Sequence, residues 1–560
     1  MIEDELNEPL ESYVRTEVVL DSNTEFRINH GFKPHVYVRL LEGSAQILGA
    51  EMTLSYYELP LTLKSLYIYS LRGCKLEVFH LASVQSVKFY KQKDEDNFAS
   101  TLISLNAIFE SHRKHAFERL HTGPRIVVTG GENSGKSSII RVLANYAVRN
   151  EWKPTFVDLD PFANEISTPG TISATVVSNF MPFSFNEFKK LCYFYGYNTI
   201  KDRFDLYVRY VKSLIGDVNG KMEDNVEQFK AFLRRGAFLD EKKLDLFTKE
   251  IEELADSRLI QANRKDSQDN GAINQSREGT GLHGNGISVP KPLSQDQNLF
   301  KALQFGQAMH FEDVNAIPSM PKETPTEVPV QKPTDTPRPP LDPNEVITLA
   351  KDYFEKDVFA SGIFVNLPNE ISNLKNEQIK QLMEIIDPDY IIVVYNDSLK
   401  SVLEEIYENS SVAIIRLIKN TGVTALDSNE RKLQPNLKIQ NFFYSEWLMC
   451  VRDVLPINDI TIYQIESSDT LPLIYISSVT EKNLRLTKID PRIFDLKGKV
   501  LGLINHKNTS DLQIESIVEA ELISLIMVAD IDNKSIALIR PKSLPENYSQ
   551  YVFCIGNIKL

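Results

Sequence analysis

From about Glu17 to Tyr90 hydrophobic and polar residues alternate in short runs, among them Val36–Leu41, Gln46–Leu48, Leu66–Tyr69 and Lys75–Phe79. Gly43, Gly49 and Gly73 punctuate these runs. Alternation places successive side chains on opposite faces of a strand, and frequent turn signals between strands predict a small all-β sandwich or barrel. A polar break at Gln92–Asn97 follows. Leu102, Leu105, Ile108 and Phe109 then recur at helical spacing, and the pattern continues through Ala116 and Leu120.

The grammar changes at Gly123. Arg125–Thr129 is a short apolar run, a glycine-bearing loop follows, and Lys136–Arg149 carries Ile139, Ile140, Leu143 and Ala147 on one helical face. Thr155–Asp160 is the next strand-like run, so the segment reads as a parallel strand–helix–strand unit. Further apolar strands at Gly362–Asn366, Tyr390–Tyr395 and Val412–Leu417 are expected to extend the same sheet. Helices are expected at Asp224–Arg234 and Glu241–Ala255. From about Asp256 to Pro343 large apolar side chains are scarce, and prolines crowd the second half. Such a stretch cannot bury enough surface to offset its ordering entropy, and it reads as a disordered linker. After Tyr444 β-rich patterning returns with Pro472, Pro491, Pro541 and Pro545. The expected organisation is an N-terminal β domain over 1–100, a central domain over 101–444 interrupted at about 256–343, and a C-terminal domain over 445–560.

A chain of 560 residues is too long for one core, in agreement with three parts. The formal net charge of −14 argues against a surface coated in positive potential, though it leaves room for a local basic cleft. Cys74, Cys192, Cys450 and Cys554 lie far apart with no CxxC pair, which excludes a zinc ribbon and points to a reducing compartment. Met1–Leu10 is acidic and polar, so no signal peptide is expected, and no apolar run is long enough to span a bilayer.

The chemistry is concentrated in Gly130-Gly131-Glu132-Asn133-Ser134-Gly135-Lys136-Ser137, which satisfies the P-loop pattern GxxxxGK[ST] in full. The glycines let backbone N–H groups curl around a phosphate, and the following helix aims its positive end at the same anion. Lys136 adds a point charge for the β- and γ-phosphates of ATP, and the Ser137 hydroxyl suits the Mg²⁺ shell. Asp158-Leu159-Asp160-Pro161 ends the next strand, where ligands of open α/β sheets bind. Asp160 is the preferred carboxylate there, either for Mg²⁺ through water or as the base that takes a proton from an attacking hydroxyl. The basic run His112-Arg113-Lys114-His115 is expected to be a solvated helix face. Tyr193, Phe194, Tyr195 and Tyr197 are expected in a buried aromatic strand. The nine histidines show no metal-ligand spacing.

The run from Thr129 to Ser138, with Leu143-Ala144-Asn145-Tyr146-Ala147-Val148-Arg149, Pro154-Thr155-Phe156-Val157-Asp158-Leu159-Asp160-Pro161 and Pro169-Gly170-Thr171-Ile172, resembles the Clp-one family. That family comprises polynucleotide 5′-hydroxyl kinases and the related non-catalytic fungal subunit of cleavage factor IA. Gly49-Ala50-Glu51-Met52, Ser361–Asn366 and Phe442-Phe443-Tyr444 extend the resemblance over nearly the whole chain outside the insertion. It implies a P-loop α/β central domain flanked by a small N-terminal β-sandwich and a small, mostly β C-terminal domain.

The resemblance also implies bound ATP and Mg²⁺ between the first two domains, with Glu25 and Lys64 framing the adenine, and Ser138 completing the P-loop contacts. It further implies a nuclear place in pre-mRNA 3′-end cleavage and polyadenylation. The chief partner would be the scaffold subunit of cleavage factor IA that reads the RNA polymerase II tail, alongside other 3′-end processing factors. RNA contact would be indirect, and no membrane is involved.

The departures bear on catalysis. Active members carry a glutamine shortly after Asp-x-Asp, where this chain has Phe162-Ala163-Asn164, and a Thr-x-Gly-Trp clasp where it has Leu367-Pro368-Asn369-Glu370. In the arginine-bearing lid Arg431 and Lys432 remain, with Pro435 where a further basic residue is expected. Loss of one preorganised transition-state donor costs roughly a hundred- to a thousandfold in rate. The expectation is an ATP-holding scaffold without catalysis. Its rivals are an active polynucleotide 5′-hydroxyl kinase with Asp160 as base, and a generic ATPase.

Overall fold

The computed structural model describes residues 13–560 except 34, 61, 83–86, 94–97, 181–187, 202, 237–357, 421, 424, 445–448, 468–483, 508–511 and 546. The expected helix at Glu241–Ala255 and the insertion at about 256–343 therefore lie outside the described residues. The chain divides into two compact units, Met1–Glu227 with Glu355–Leu560, and Gln228–Phe354. In the second unit only the end of a long helix, up to Gly236, is described. The first unit carries everything below.

Nine strands open the chain: β1 (Tyr13–Leu20), β2 (Thr24–Asn29), β3 (Val36–Gly43), β4 (Gln46–Ile47), β5 (Ala50–Glu51), β6 (Tyr56–Glu58), β7 (Ser65–Ser70), β8 (Cys74–Leu81) and β9 (Lys88–Lys93). They form two sheets, β1-β8-β3-β6 and β5-β4-β7-β2-β9. The inward members of the alternating runs, Phe26, Ile28, Val36, Val38, Ile68, Leu76 and Val78, are all buried. The result is the expected β-sandwich.

Helix α1 (Phe98–Arg119) leads out of it. Its buried face holds Leu102, Leu105, Ile108, Phe109 and Ala116, as the periodicity predicts. One member of the basic run does not follow expectation. Arg113 is fully buried rather than solvated: its Nε donates to the Ser361 carbonyl at 2.9 Å, its Nη1 donates to Asn106 Oδ1 at 3.3 Å, and its guanidinium lies 5.7 Å from the Phe364 ring centroid. The Arg113 stem shares the apolar face of α1, which carries the charge inward to a waiting carbonyl.

The central sheet contains β10 (Arg125–Gly130), β11 (Thr155–Asp158), β12 (Thr171–Val176), β13 (Lys190–Phe194), β14 (Ile363–Asn366), β15 (Tyr390–Val394) and β16 (Ala413–Leu417), in the order β13-β12-β11-β14-β10-β15-β16. Five strands, β11, β14, β10, β15 and β16, are mutually parallel, and β12 alone runs against them. Strand β14 lies between β10 and β11, so the strand–helix–strand unit read from the sequence is parallel but not adjacent. The middle strands are buried on both faces, which is why they read as unbroken apolar runs. Helices α2 (Lys136–Arg149), α3 (Phe204–Gly236), α4 (Val358–Ser361), α5 (Asn376–Ile386), α6 (Asp397–Ile406) and α7 (Ser428–Tyr444) complete this part. The expected helix at Asp224–Arg234 is the end of α3. Tyr193, Phe194, Tyr195 and Tyr197 are buried on and just beyond β13.

The C-terminal part is a seven-stranded sheet of β17 (Cys450–Pro456), β18 (Ile462–Ser467), β19 (Leu484–Ile489), β20 (Lys499–Lys507), β21 (Leu522–Ile531), β22 (Ser535–Pro541) and β23 (Tyr551–Lys559), ordered β17-β22-β21-β20-β23-β18-β19. It joins the central part beside β13. The Asn557 N–H donates to the Gly196 carbonyl at 2.6 Å, and Phe194 packs where Gly502 has no side chain. One apolar core runs through both, from Val127 to Ile558.

Removing the Arg113 guanidinium takes a donor away from the Ser361 carbonyl and from Asn106 Oδ1 in the core. Arg113→Ala should lower the free energy of unfolding by about 3 kcal/mol, read as a fall in denaturation midpoint, whereas Lys114→Ala on the exposed face should move it by less than about 0.5 kcal/mol.

Candidate nucleotide-binding site

Strand β10 ends at Gly130, whose φ of 146° is open only to glycine and whose Cα lies against the Val394 carbonyl. The Gly131 N–H donates to that same carbonyl at 3.1 Å, pinning the loop to β15. The chain then turns left-handed at Asn133 (φ 50°) and at Gly135 (φ 91°), which caps α2. A Cβ at Gly135 would press on Val423 Cγ2 at 3.1 Å. Successive N–H groups in such a turn form a concave nest, and the positive end of α2 opens into it. Lys136 is buried; its Nζ donates to the Gly131 carbonyl at 3.4 Å and also to Asn369 Oδ1. Burial lowers the Lys136 pKa, against the pull of Asp160 and Asp158. The Ser134 hydroxyl is buried with no partner among the described residues.

The two carboxylates after β11 differ. Asp158 is consumed by its own loop: it accepts from the N–H groups of Asp160 (3.1 Å) and Glu165 (2.7 Å) and from Asn366 Nδ2 (2.9 Å). Burial first, and the Asp160 charge second, push its pKa up to about 7. One oxygen of Asp160 accepts from the N–H groups of Phe162 (2.9 Å) and Ala163 (3.3 Å). Burial raises the Asp160 pKa, and Lys136 opposes the rise. Asp160 lines the cavity in front of Lys136; Asp158 does not.

That cavity, about 400 Å³, is bounded by the P-loop, the sandwich, the residues after β14 and the segment before and within α7. Glu132, Asn133, Ser134, Gly135, Lys136, Ser137, Ser138, Asp160 and Lys64 line it. Gly130 and Gly131 do not line it. Glu25 is absent from the wall: its Oε2 accepts from Arg27 at 2.5 Å and its Oε1 from Asn420 Nδ2 at 2.7 Å. Lys64 Nζ donates to Glu430 at 2.6 Å and to the Ala425 carbonyl at 3.1 Å, and Arg431 pairs with Glu132.

Sequence reasoning did not find three parts of this arrangement. Arg27 and Asn420 close on Glu25 from positions almost 400 residues apart, and Asn369 meets Lys136. Glu165 is clamped between Arg141 Nη2 (2.6 Å) and Lys438 Nζ (3.0 Å), and Lys438 also donates to the carbonyls of Ala163 and Asn164. Burial alone would raise the Glu165 pKa, but Lys438 and Arg141 together bring it down to about 2. These groups come from the loop after Asp160, from α2 and from α7, so the clamp fixes the Asp160 loop to both helices.

The P-loop region of the mRNA cleavage and polyadenylation factor CLP1 matches residues 130–233 and 342–445, and the N-terminal β-sandwich domain of polyadenylation factor matches residues 19–116. Together the two models cover more than half of the 560 residues. The chain belongs to the CLP1 family. A CLP1 homologue of Dictyostelium discoideum is 28% identical over 229 residues, 40% of this chain and 47% of that protein. The polyribonucleotide 5′-hydroxyl-kinase Clp1 of Bos taurus is 28% identical over 212 residues, 38% of this chain and 48% of the relative. The matched segments thus span about half the length of these curated CLP1 relatives. The solved Clp1p–Pcf11p complex has a chain with the same fold, at a TM-score of 0.63 and 14% identity over 98% of both chains.

The clamp yields a signed pH prediction. A carboxylate whose pKa falls on folding, here from 4.5 to about 2, contributes stability above the unfolded value and loses it as pH drops through the folded one. Glu165→Gln should cost about 3 kcal/mol in unfolding free energy near neutral pH. The gap from wild type should close as pH falls from 4.5 towards 2, measured by denaturant titration across that range.

Proposed function

We propose that this chain holds ATP with Mg²⁺ in the cavity and serves as a non-catalytic scaffold subunit of the pre-mRNA 3′-end cleavage and polyadenylation machinery, of the cleavage factor IA type, in the nucleus. The observation that carries the nucleotide is a nearly buried ammonium and an unpartnered buried hydroxyl, Lys136 and Ser134, set in a left-handed backbone nest at a helix start. The donor set fits a magnesium triphosphate. Backbone N–H groups from Asn133 to Lys136 and the Lys136 ammonium suit the phosphates, and the Ser137 hydroxyl with Asp160 suits the cation. When bound, the cation would neutralise phosphate charge.

Support for the non-catalytic reading comes from what surrounds the far end of the cavity. Asn164, in the segment after Asp-x-Asp where active members carry a glutamine, is buried and fully engaged: its amide donates to the carbonyls of Asp158 and Thr171, and its oxygen accepts from Ile166, Ser167 and Ser173. It has nothing left to offer a transferring phosphoryl group. Glu370 accepts from Thr199 Oγ1 and the Ile200 N–H, and Asn369 accepts from Lys136. Lys438 is tied to Glu165 and does not line the cavity. Only Arg431 of the lid cations lines it.

A ligand at a hundred times its dissociation constant stabilises the bound form by about 2.7 kcal/mol. Lodged between the sandwich and the central sheet, it would hold both in one arrangement for partners to read. One solved structure that shares this fold is of a Clp1p–Pcf11p complex, and the proposed partner is a scaffold subunit of that kind which also reads the RNA polymerase II tail, with other 3′-end processing factors around it. RNA contact is then indirect.

One observation favours the catalytic alternative, a polynucleotide 5′-hydroxyl kinase acting on RNA ends. Asp160 faces the cavity with a raised pKa and one oxygen free of hydrogen bonds among the described residues, as a general base requires. Incubating the protein with γ-labelled ATP, Mg²⁺ and a 5′-hydroxyl RNA oligonucleotide separates the readings. The scaffold reading predicts label on RNA at no more than trace rate, unchanged by Asp160→Asn. Rapid labelling abolished by Asp160→Asn would replace the scaffold with the kinase.

A further inference from the structure

A run of backbone hydrogen bonds joins the C-terminal sheet to the loop that carries Asp160. Strands β18 and β23 pair only at Ile462–Gln464 with Phe553–Ile555, and beyond that point the edge of β23 is taken by the segment after β13. The Asn557 N–H donates to the Gly196 carbonyl at 2.6 Å. On the other side of that segment Arg203, 4.4 Å from the Tyr197 ring centroid, donates Nη1 to the Ile465 carbonyl at 3.1 Å. The approach demands glycine: Gly170 and Gly196 both have a φ of 82°, and a Cβ on Gly556 would stand 1.9 Å from the Gly196 oxygen. Ile558 covers Gly170, its Cγ1 lying 2.6 Å from where a Cβ would be. The run continues inward. The Gly196 N–H donates to the Gly170 carbonyl at 2.7 Å, and the Gly170 N–H donates to the Pro161 carbonyl at 2.7 Å. The Pro161 carbonyl and the Phe162 N–H are the two ends of one planar peptide group, and that N–H donates to Asp160 Oδ1 at 2.9 Å. Whatever holds the carbonyl therefore aims the donor that holds the carboxylate.

We propose that β23 positions Asp160 through Gly556, Gly196 and Gly170, so that the cation-dependent part of triphosphate binding is set from the C-terminal sheet. The inference rests on the Mg²⁺ role proposed above for Asp160. Asp160 and Pro161 line the cavity, whereas Gly170, Gly196, Gly556 and Ile558 do not, so these four are positioning residues. A Cβ at Gly556 would push Gly196 off β23, and the hydrogen bonds to Gly170 and Pro161 would follow it. That movement tilts the Asp160 carboxylate. It leaves the P-loop in place, because the anchor there is the Val394 carbonyl of β15. The loss falls on the cation and not on the phosphates. Coupling between two sites is reciprocal, so a cation held at Asp160 steadies the run of bonds out to Asn557.

The test uses the full-length protein stripped of nucleotide and a fluorescent ATP analogue, bound once in EDTA and once along a Mg²⁺ titration. Mg²⁺ should tighten binding to the wild type. Gly556→Ala should raise the Mg²⁺ concentration at half effect roughly tenfold, the loss typical when support behind a metal ligand is removed, while binding in EDTA moves by less than about twofold. Ile558→Ala, which uncovers Gly170 and leaves the β23 backbone unaltered, should shift the Mg²⁺ midpoint in the same direction by a smaller factor. The wild type supplies a reading that needs no variant: adding Mg²⁺ to protein saturated with ATP should slow amide exchange over Tyr551–Lys559, followed by mass spectrometry. Equal weakening with and without Mg²⁺ in both variants, unchanged Mg²⁺ midpoints, or exchange over Tyr551–Lys559 indifferent to Mg²⁺ overturns the inference and leaves the triphosphate site standing. A wild type that binds equally well in EDTA and in Mg²⁺ overturns the cation role of Asp160 and the inference together. A wild type that binds no triphosphate overturns the site as well.

Discussion

A lysine ammonium withdrawn from water beside a helix start is an unstable arrangement unless an anion completes it. Burial penalises the charge on Lys136, and the positive end of α2 adds to the penalty. Asp160 is the nearest compensation, but it is itself raised by burial and engaged by the loop amides. The fold tolerates this strain because β10 and β15 lock the loop through the Val394 carbonyl, and because Gly130 and Gly135 supply backbone shapes closed to other residues. A polyanion would complete it, the role proposed above for a nucleoside triphosphate.

Around that point the molecule is tied together from far-separated sequence. Lys64 reaches Glu430, Arg27 and Glu25 reach Asn420, and Arg431 reaches Glu132, so the segment leading into α7 and the start of α7 contact both the sandwich and the P-loop. The Glu165 clamp ties the Asp160 loop to the underside of α7. Ligand binding and the mutual placement of these parts are therefore one equilibrium. On the scaffold reading proposed above, that linkage would give a bound nucleotide a use without turnover.

Much of this was legible in the chain. Continuous apolar runs are the mark of strands covered on both faces, and β10, β14 and β15 lie where those runs stand. The P-loop motif is local, so its geometry follows from its residues. Arg113 shows the limit of local reading: a basic run looks solvated until the fold brings the Ser361 carbonyl to meet one member. Glu25 shows another. Its carboxylate accepts from Arg27 and Asn420, and the second of these contacts joins residues nearly 400 apart that no spacing in the sequence encodes. The antiparallel β12 and the insertion of β14 between β10 and β11 are likewise decided by long-range pairing.

The central claim is that the nest before Lys136 holds a nucleoside triphosphate that the surrounding residues do not pass on. Acid extraction of the freshly purified, full-length protein, followed by chromatographic identification of the released nucleotide, tests it most directly. The account predicts intact triphosphate in near-equal amount to protein, absent from the folded Lys136→Ala variant. An empty wild-type protein, or one loaded mainly with diphosphate, would contradict it.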